Sequence, residues 1–360
     1  MKVSEERIRR ALSHIIDPDL KQDIVTAGLV AGLAWNEENQ KVSISLQLTT
    51  PACPLKSYFE SQVRRVLQEE LGEAWSVEIA FTAQTIGGSF SELPQVKNVL
   101  LVASGKGGVG KSTLSVNLAV CLAKRGAKVG LLDADIYGPS VPILMGLERA
   151  KPSVEEKESR PYLLPIYKYG VYVMSMGFLV PTGQATPWRG PMASNTLRQL
   201  LTDTLWPELD YLIVDMPPGT GDIQITMAQQ FRPQGAIIIT TPQKVALADA
   251  EKALSMFKMP LIQVPIIGIV ENMSYFWTPL LPERKFYIFG EKGGRMLAEK
   301  YEVPFLGEIP LIEDVVQEGD RGIPSALSEG TPMSEAFSRV ADEVVREVAR
   351  LAFFSSVVCR

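Results

Sequence analysis

The sequence predicts an α/β protein: a mostly parallel sheet with helices on both faces, preceded by a small α+β domain. Three observations carry this. Short, continuously apolar runs recur at Val99–Ala103, Val129–Leu132, Tyr211–Val214, Ala236–Thr240 and Ile266–Val270, with longer helical stretches between them. That is the pattern of parallel strands buried on both faces. A glycine-rich stretch, Gly105 to Ser112, joins the first run to an amphipathic segment over Ser112–Arg125. Before residue 83 the apolar residues instead alternate with polar ones, the period of half-buried strands, so a separate unit comes first.

That first unit, residues 1–82, opens with a helix. Ser4 caps it, Glu5 and Glu6 complement its dipole, and Ile8, Ala11, Leu12 and Ile15 share one face. Asp17-Pro18 ends it. After a turn at Asn36–Gln40, Val42, Ile44, Leu46 and Leu48 alternate as a strand. A second helix runs from about Leu55 to Leu71, with Phe59, Val63, Val66 and Leu67 inward and Gly72 as its stop. Val77, Ile79 and Phe81 alternate again. Residues 83–97, with Gly87-Gly88, Ser89, Ser91 and Pro94, read as a linker. Residues 98–355 form the second domain, in which the charged stretch Glu155–Arg160 is expected as a surface loop.

Composition narrows the function. Among 360 residues, 36 Lys and Arg face 41 Asp and Glu, a net charge of −5, which gives no general attraction to nucleic acid. No run of 18 apolar residues is present, and the charged first ten residues do not resemble a secretion signal. The expectation is a cytoplasmic protein with neither membrane nor nucleic-acid partners. Three cysteines (Cys53, Cys121, Cys359) and one histidine (His14) exclude a disulfide framework and a metal cage of four thiolates within one chain. A two-fold dimer would double every ligand.

Gly105-Lys106-Gly107-Gly108-Val109-Gly110-Lys111-Ser112 satisfies G-x-x-x-x-G-K-[ST] between a strand and a helix. Its glycines let main-chain amides close on phosphate oxygens, and the helix N-terminus adds positive potential. Lys111 is expected to reach the β- and γ-phosphates, and Ser112 to bind Mg²⁺, with Thr113 beside it. Asp215, ending the run Tyr211–Val214, is placed for a second Mg²⁺-binding carboxylate. Gly219 offers either an amide to the γ-phosphate or an ordinary turn. Asp133 and Asp135 end another run at the sheet edge where ligands bind. Either one positions the attacking water, or they cap the helix before Pro139-Ser140.

Lys106 within the loop gives K-G-G-x-G-K-[ST], which resembles the deviant Walker A motif of MinD/ParA-type P-loop NTPases. Asp133–Ser140 (DADIYGPS), Trp188–Met192 (WRGPM), Asp215–Asp222 (DMPPGTGD) and Glu271–Ser274 (ENMS) are similar to one branch, the Mrp/ApbC/Nbp iron–sulfur cluster carriers. Thr50-Pro51-Ala52-Cys53-Pro54 places residues 1–82 near the SufT-like domain often fused to them. The resemblance implies an ATPase homodimer that passes clusters to recipient apoproteins with assembly factors. It also implies that Lys106 reaches the partner's nucleotide, that Asp135 aids hydrolysis, and that Asn272, just beyond the strand Ile266–Val270, contacts adenine.

Many such carriers have C-P-x-C after E-N-M-S, where two pairs hold a bridging cluster. Here Thr278 and Leu281 stand at those places, and neither side chain replaces a thiolate on iron. Cys53, between a strand and a helix N-terminus that favours the thiolate, is the candidate ligand, or else a small buried residue. Cys121 reads as core, Cys359 as a frayed terminus, and His14 as packed or solvent-facing. Two other readings stay open: a positioning ATPase of the MinD/ParA kind, or an ATP-switched scaffold without its own cluster. The mixed charge opposite Phe337, Val340, Val344 and Val348 favours packing of the last helix on the sheet over membrane binding.

Overall fold

The computed structural model describes residues 3–83, 85, 93–157, 159–179, 190–231 and 233–358. Gly87, Gly88, Ser89 and Ser91 of the expected linker, Trp188-Arg189 of one motif, and Cys359 lie outside the described residues. The chain divides into two compact units, Met1–Ile86 with Ala349–Arg360, and Gly87–Val348.

In the first unit, α1 (Glu5–Leu12) is capped by Ser4, whose hydroxyl accepts the Arg7 N–H at 3.3 Å. Strands β1 (Val30–Asn36), β2 (Lys41–Leu48) and β3 (Ser76–Ala83) form one sheet in that order. β1 and β2 are antiparallel, whereas β2 and β3 are parallel because α2 (Lys56–Leu71) crosses between them. Val42, Ile44, Leu46 and Leu48 point inward from β2 and meet Ile8, Leu12, Phe59, Val63 and Leu67 in one apolar core. The alternation read in the sequence is thus the in–out alternation of β2. β1 escaped that reading because it has no fully buried residue to set a period.

The second unit is built on an eight-stranded sheet. β4 (Val99–Ala103) leads into α3 (Lys111–Lys124), β5 (Val129–Asp133) and the short α4 (Val141–Leu144). Two strands, β6 (Val154–Lys157) and β7 (Arg160–Leu163), form a two-stranded sheet of their own. The charged stretch expected as a loop is therefore this antiparallel hairpin, turned at Ser159 with φ +63° and largely exposed. β8 (Ile166–Lys168), β9 (Val171–Ser175), α5 (Gly190–Thr202), β10 (Tyr211–Asp215), α6 (Asp222–Phe231), β11 (Gly235–Thr240) and α7 (Lys244–Lys258) follow. β12 (Ile266–Phe276), α8 (Gly293–Tyr301), β13 (Phe305–Leu311), α9 (Glu313–Asp320) and α10 (Pro332–Val358), as far as Val348, complete it.

The strand order is β13-β12-β11-β4-β10-β5-β9-β8, and every neighbouring pair is parallel except β8 with β9. β4, β5, β10 and β11 are buried at every residue, which is why they read as unbroken apolar runs. The chain leaves β4 and returns at β5, skipping the slot that β10 later fills. Such a switch point opens a crevice at the carboxyl ends of the strands. α10 buries Phe337, Val340, Val344 and Val348, and Val340 lies over Gly307 of β13, so this apolar side is used for packing on the sheet. Among the described residues no helix is long and apolar enough to cross a membrane.

Candidate nucleotide site

Three strand ends build the site. β4 runs into the glycine-rich loop, and β5 and β10 end in Asp133 and Asp215, which are register partners on adjacent strands. Gly105 must lack a side chain, because a Cβ there would overlap the Asp249 main-chain carbonyl of α7. Gly110 has φ +88°, a left-handed conformation, and a Cβ on it would strike the Asn272 amide. Gly105→Ala is therefore expected to destabilise the protein by roughly 1–3 kcal/mol through overpacking. Urea denaturation checks this, and an unchanged midpoint would show that α7 gives way.

Lys111, 7% exposed, begins α3 and turns back toward the strand ends. Its ammonium lies 2.9 Å from Asp215 Oδ1 and 3.6 Å from Asp135 Oδ2. Ser112 Oγ donates to Asp215 Oδ2 at 2.5 Å, and Ser115 Oγ donates to Asp215 Oδ1 at 2.8 Å. Asp215 is fully buried, and these donors and the lysine satisfy its carboxyl oxygens. Ser115 had no signal in the sequence: it is one helical turn beyond Lys111, and its partner is 100 residues away. Thr113 sits half-buried in the same first turn, its carbonyl accepting from Asn117 Nδ2 at 2.8 Å. Among the described residues no carboxylate pairs with Lys106.

Asp133 and Asp135 make different contacts. Asp133 caps: it accepts the Val141 N–H, the first residue of α4, at 3.2 Å. Asp135 faces Lys111 instead. Burial holds Asp135 above the usual carboxylate range against the pull of Lys111. Burial, and then the adjacent Asp215 carboxylate, push Asp133 well above it.

Gly219 has φ +98°, and its N–H donates to the Ser104 carbonyl at 2.9 Å, which ties the 216–222 turn to the loop. Gln224, unremarked in the sequence, holds the same turn by donating to the Pro217 and Pro218 carbonyls at 2.9 and 3.1 Å. The expectation for Asn272 is corrected: it lies within β12, not beyond its end, because the strand runs on to Phe276 through a register shift and a left-handed Met273 (φ +52°). Its Nδ2 donates to the Val109 carbonyl at 2.8 Å and so braces the loop from β12, two strands away from β4 in the sheet.

Comparison with known proteins decides the family. Residues 95–345 match the family described as NUBPL iron-transfer P-loop NTPase, and residues 5–81 match iron-sulfur cluster assembly protein. The chain belongs to the iron-transfer P-loop NTPases. It is 46% identical over 345 residues to an iron-sulfur cluster carrier protein of Deinococcus radiodurans, covering 96% of this chain and 93% of that one. It is 40% identical to the chloroplastic Fe-S cluster assembly factor HCF101 of Arabidopsis thaliana, over 97% of this chain and 65% of that protein. A solved nucleotide-binding protein from Archaeoglobus fulgidus, in complex with ADP, is similar with a TM-score of 0.57 and 40% identity, over 67% of this chain and 92% of that one.

In this iron-transfer NTPase the two described thiols are held back by burial. Cys53 is three residues before α2 and packs against the first unit's core. Burial pushes its thiol up to about 11, the opposite of the thiolate expected from a helix N-terminus. Cys121 is buried in α3, as expected, and is likewise pushed up to about 11. Thr278 and Leu281 close a turn through the Leu281 N–H to the Thr278 carbonyl at 3.1 Å, with Leu280 86% exposed at its tip. His14 is exposed, its Nδ1 3.2 Å from the Ala11 carbonyl. Among the described residues no group of three or more His, Cys, Asp or Glu could hold a metal ion.

Proposed function

We propose that this chain binds ATP with Mg²⁺, hydrolyses it, and uses the resulting change between two subunits to carry iron–sulfur clusters to recipient apoproteins. The observation that carries the reading is the buried Lys111–Asp215 pair beneath a glycine loop, in a chain belonging to the iron-transfer NTPases. Ser112 Oγ and Asp215 present two hard oxygen donors side by side, a fit for Mg²⁺. When bound there, Mg²⁺ neutralises phosphate charge. Lys111 moves from its carboxylates to the β- and γ-phosphates, and the amides of Gly107 to Lys111 orient the chain of phosphates. Asp135, 3.6 Å from Lys111, suits holding the attacking water. Lys106, with no carboxylate partner among the described residues, suits contact with the nucleotide of a second copy in a homodimer. Asn272, beside the loop, suits the adenine edge once its Val109 contact loosens.

The cluster is cargo, and Cys53 is its candidate ligand. Cys53 is the less buried of the two described cysteines, and ligation would remove its proton despite burial. Anaerobic reconstitution with iron and sulfide tests this. The expected result is charge-transfer absorbance and stoichiometric iron in the native chain, lost in Cys53→Ser with ATP turnover retained. Iron retained by the variant would move the cluster elsewhere; substoichiometric iron in both would reject the carrier reading and leave an ATP-switched scaffold.

A further inference from the structure

We propose that Asp133 is a positioning residue for hydrolysis: it staples both ends of the 134–140 loop so that Asp135 stands over Lys111, without itself touching nucleotide. The inference rests on the ATPase reading above. Asp133 is fully buried at the end of β5, and three donors from three places converge on its carboxylate. The Asp135 N–H reaches Oδ1 at 3.1 Å, the Val141 N–H reaches Oδ2 at 3.2 Å, and Ser175 Oγ of β9 reaches Oδ2 at 2.9 Å. Ser175 Oγ in turn accepts the Gly177 N–H at 2.9 Å, so the staple is anchored to the next strand.

One side chain thus fixes the second residue of the loop and the residue that follows it. Between them the chain turns outward: Tyr137 is 63% exposed, and the Gly138 N–H closes the turn on Asp135 Oδ1 at 3.3 Å. Asp135 Oδ2 is left toward Lys111. Asp133 itself makes no ion pair with Lys111, whose carboxylate neighbours are Asp215 and Asp135. All three contacts come from donors, so both carboxyl oxygens of Asp133 serve as acceptors. An amide of the same shape would turn an NH₂ onto an N–H or a hydroxyl. Capping of the four-residue α4 needs only the Val141 contact; the contacts to the Asp135 N–H and to Ser175 go beyond it and fix the turn that carries Asp135.

The test compares native chain, Asp133→Asn and Ser175→Ala by Mg-ADP binding stoichiometry and by phosphate release per binding-competent site. A merely structural role lowers the competent fraction and leaves turnover per site unchanged. Positioning predicts near-native Mg-ADP affinity, with turnover per site down about 10²-fold in Asp133→Asn. The outer-shell change Ser175→Ala is expected to lower it about 10-fold, and Ser175→Thr, which keeps the hydroxyl, to restore it. If Asp133→Asn does not fold, the two Ser175 variants decide. Unchanged turnover per site, or affinity lost in parallel with turnover, would overturn the proposal alone. No hydrolysis by the native chain would remove the ATPase reading and this inference together.

Discussion

Lys111→Ala is expected to abolish productive ATP binding and reduce turnover by about 10²–10³-fold, the scale seen when a donor aimed at developing charge is removed from a water-poor site. The reason is visible without nucleotide. Lys111 is 7% exposed and lies between Asp215 at 2.9 Å and Asp135 at 3.6 Å, with Asp133 in register beside Asp215. Removing the ammonium leaves a triphosphate to enter against uncompensated carboxylates at the strand ends. Lys111→Met keeps most of the apolar stem and removes only the charge, so it should fail in the same way while disturbing packing less. Lys111→Arg is no rescue, because a planar fork cannot replace a point charge in this closed space. Calorimetric titration with Mg-ATP and phosphate release measure both effects. Near-normal turnover in Lys111→Met would refute the assignment of the loop.

Much of this site was legible because its parts are local. Glycines and a lysine within eight consecutive residues, flanked by an apolar run, specify loop, strand and helix together. Asp133, Asp135 and Asp215 were legible as charges stopping apolar runs. What escaped depends on contacts across the fold. Ser115, Ser175 and Gln224 are ordinary polar residues whose partners are fixed only when strands and helices assemble. The apolar reading also stopped β12 at Val270, because Glu271 and Asn272 look like a loop until Gly294 and Val109 are seen to bond them. Cys53 shows the opposite error. Its sequence neighbours argued for a thiolate, but the packing around it dominates the local helix effect.

Asp215→Asn separates Mg²⁺ binding from the structural use of the same carboxylate. In the native chain Asp215 accepts from Ser112 and Ser115 and pairs with Lys111, all through oxygens. The amide retains one oxygen and turns an NH₂ toward one of those donors, so it is a poorer hub and a weaker ligand for a hard cation. Turnover is expected to fall about 10²-fold, with the Mg²⁺ concentration for half-maximal rate shifted upward. Asp215→Ala goes further: it strips Lys111 of its nearer counter-charge while the lysine stays buried, a change worth about 3 kcal/mol of stability. That loss should be smaller in Lys111→Met/Asp215→Ala, because the pair is then removed rather than broken. Magnesium titration of phosphate release, with denaturation of the three variants, distinguishes the roles. An unshifted magnesium requirement in Asp215→Asn would leave Asp215 as a partner of Lys111 and take it out of the metal site.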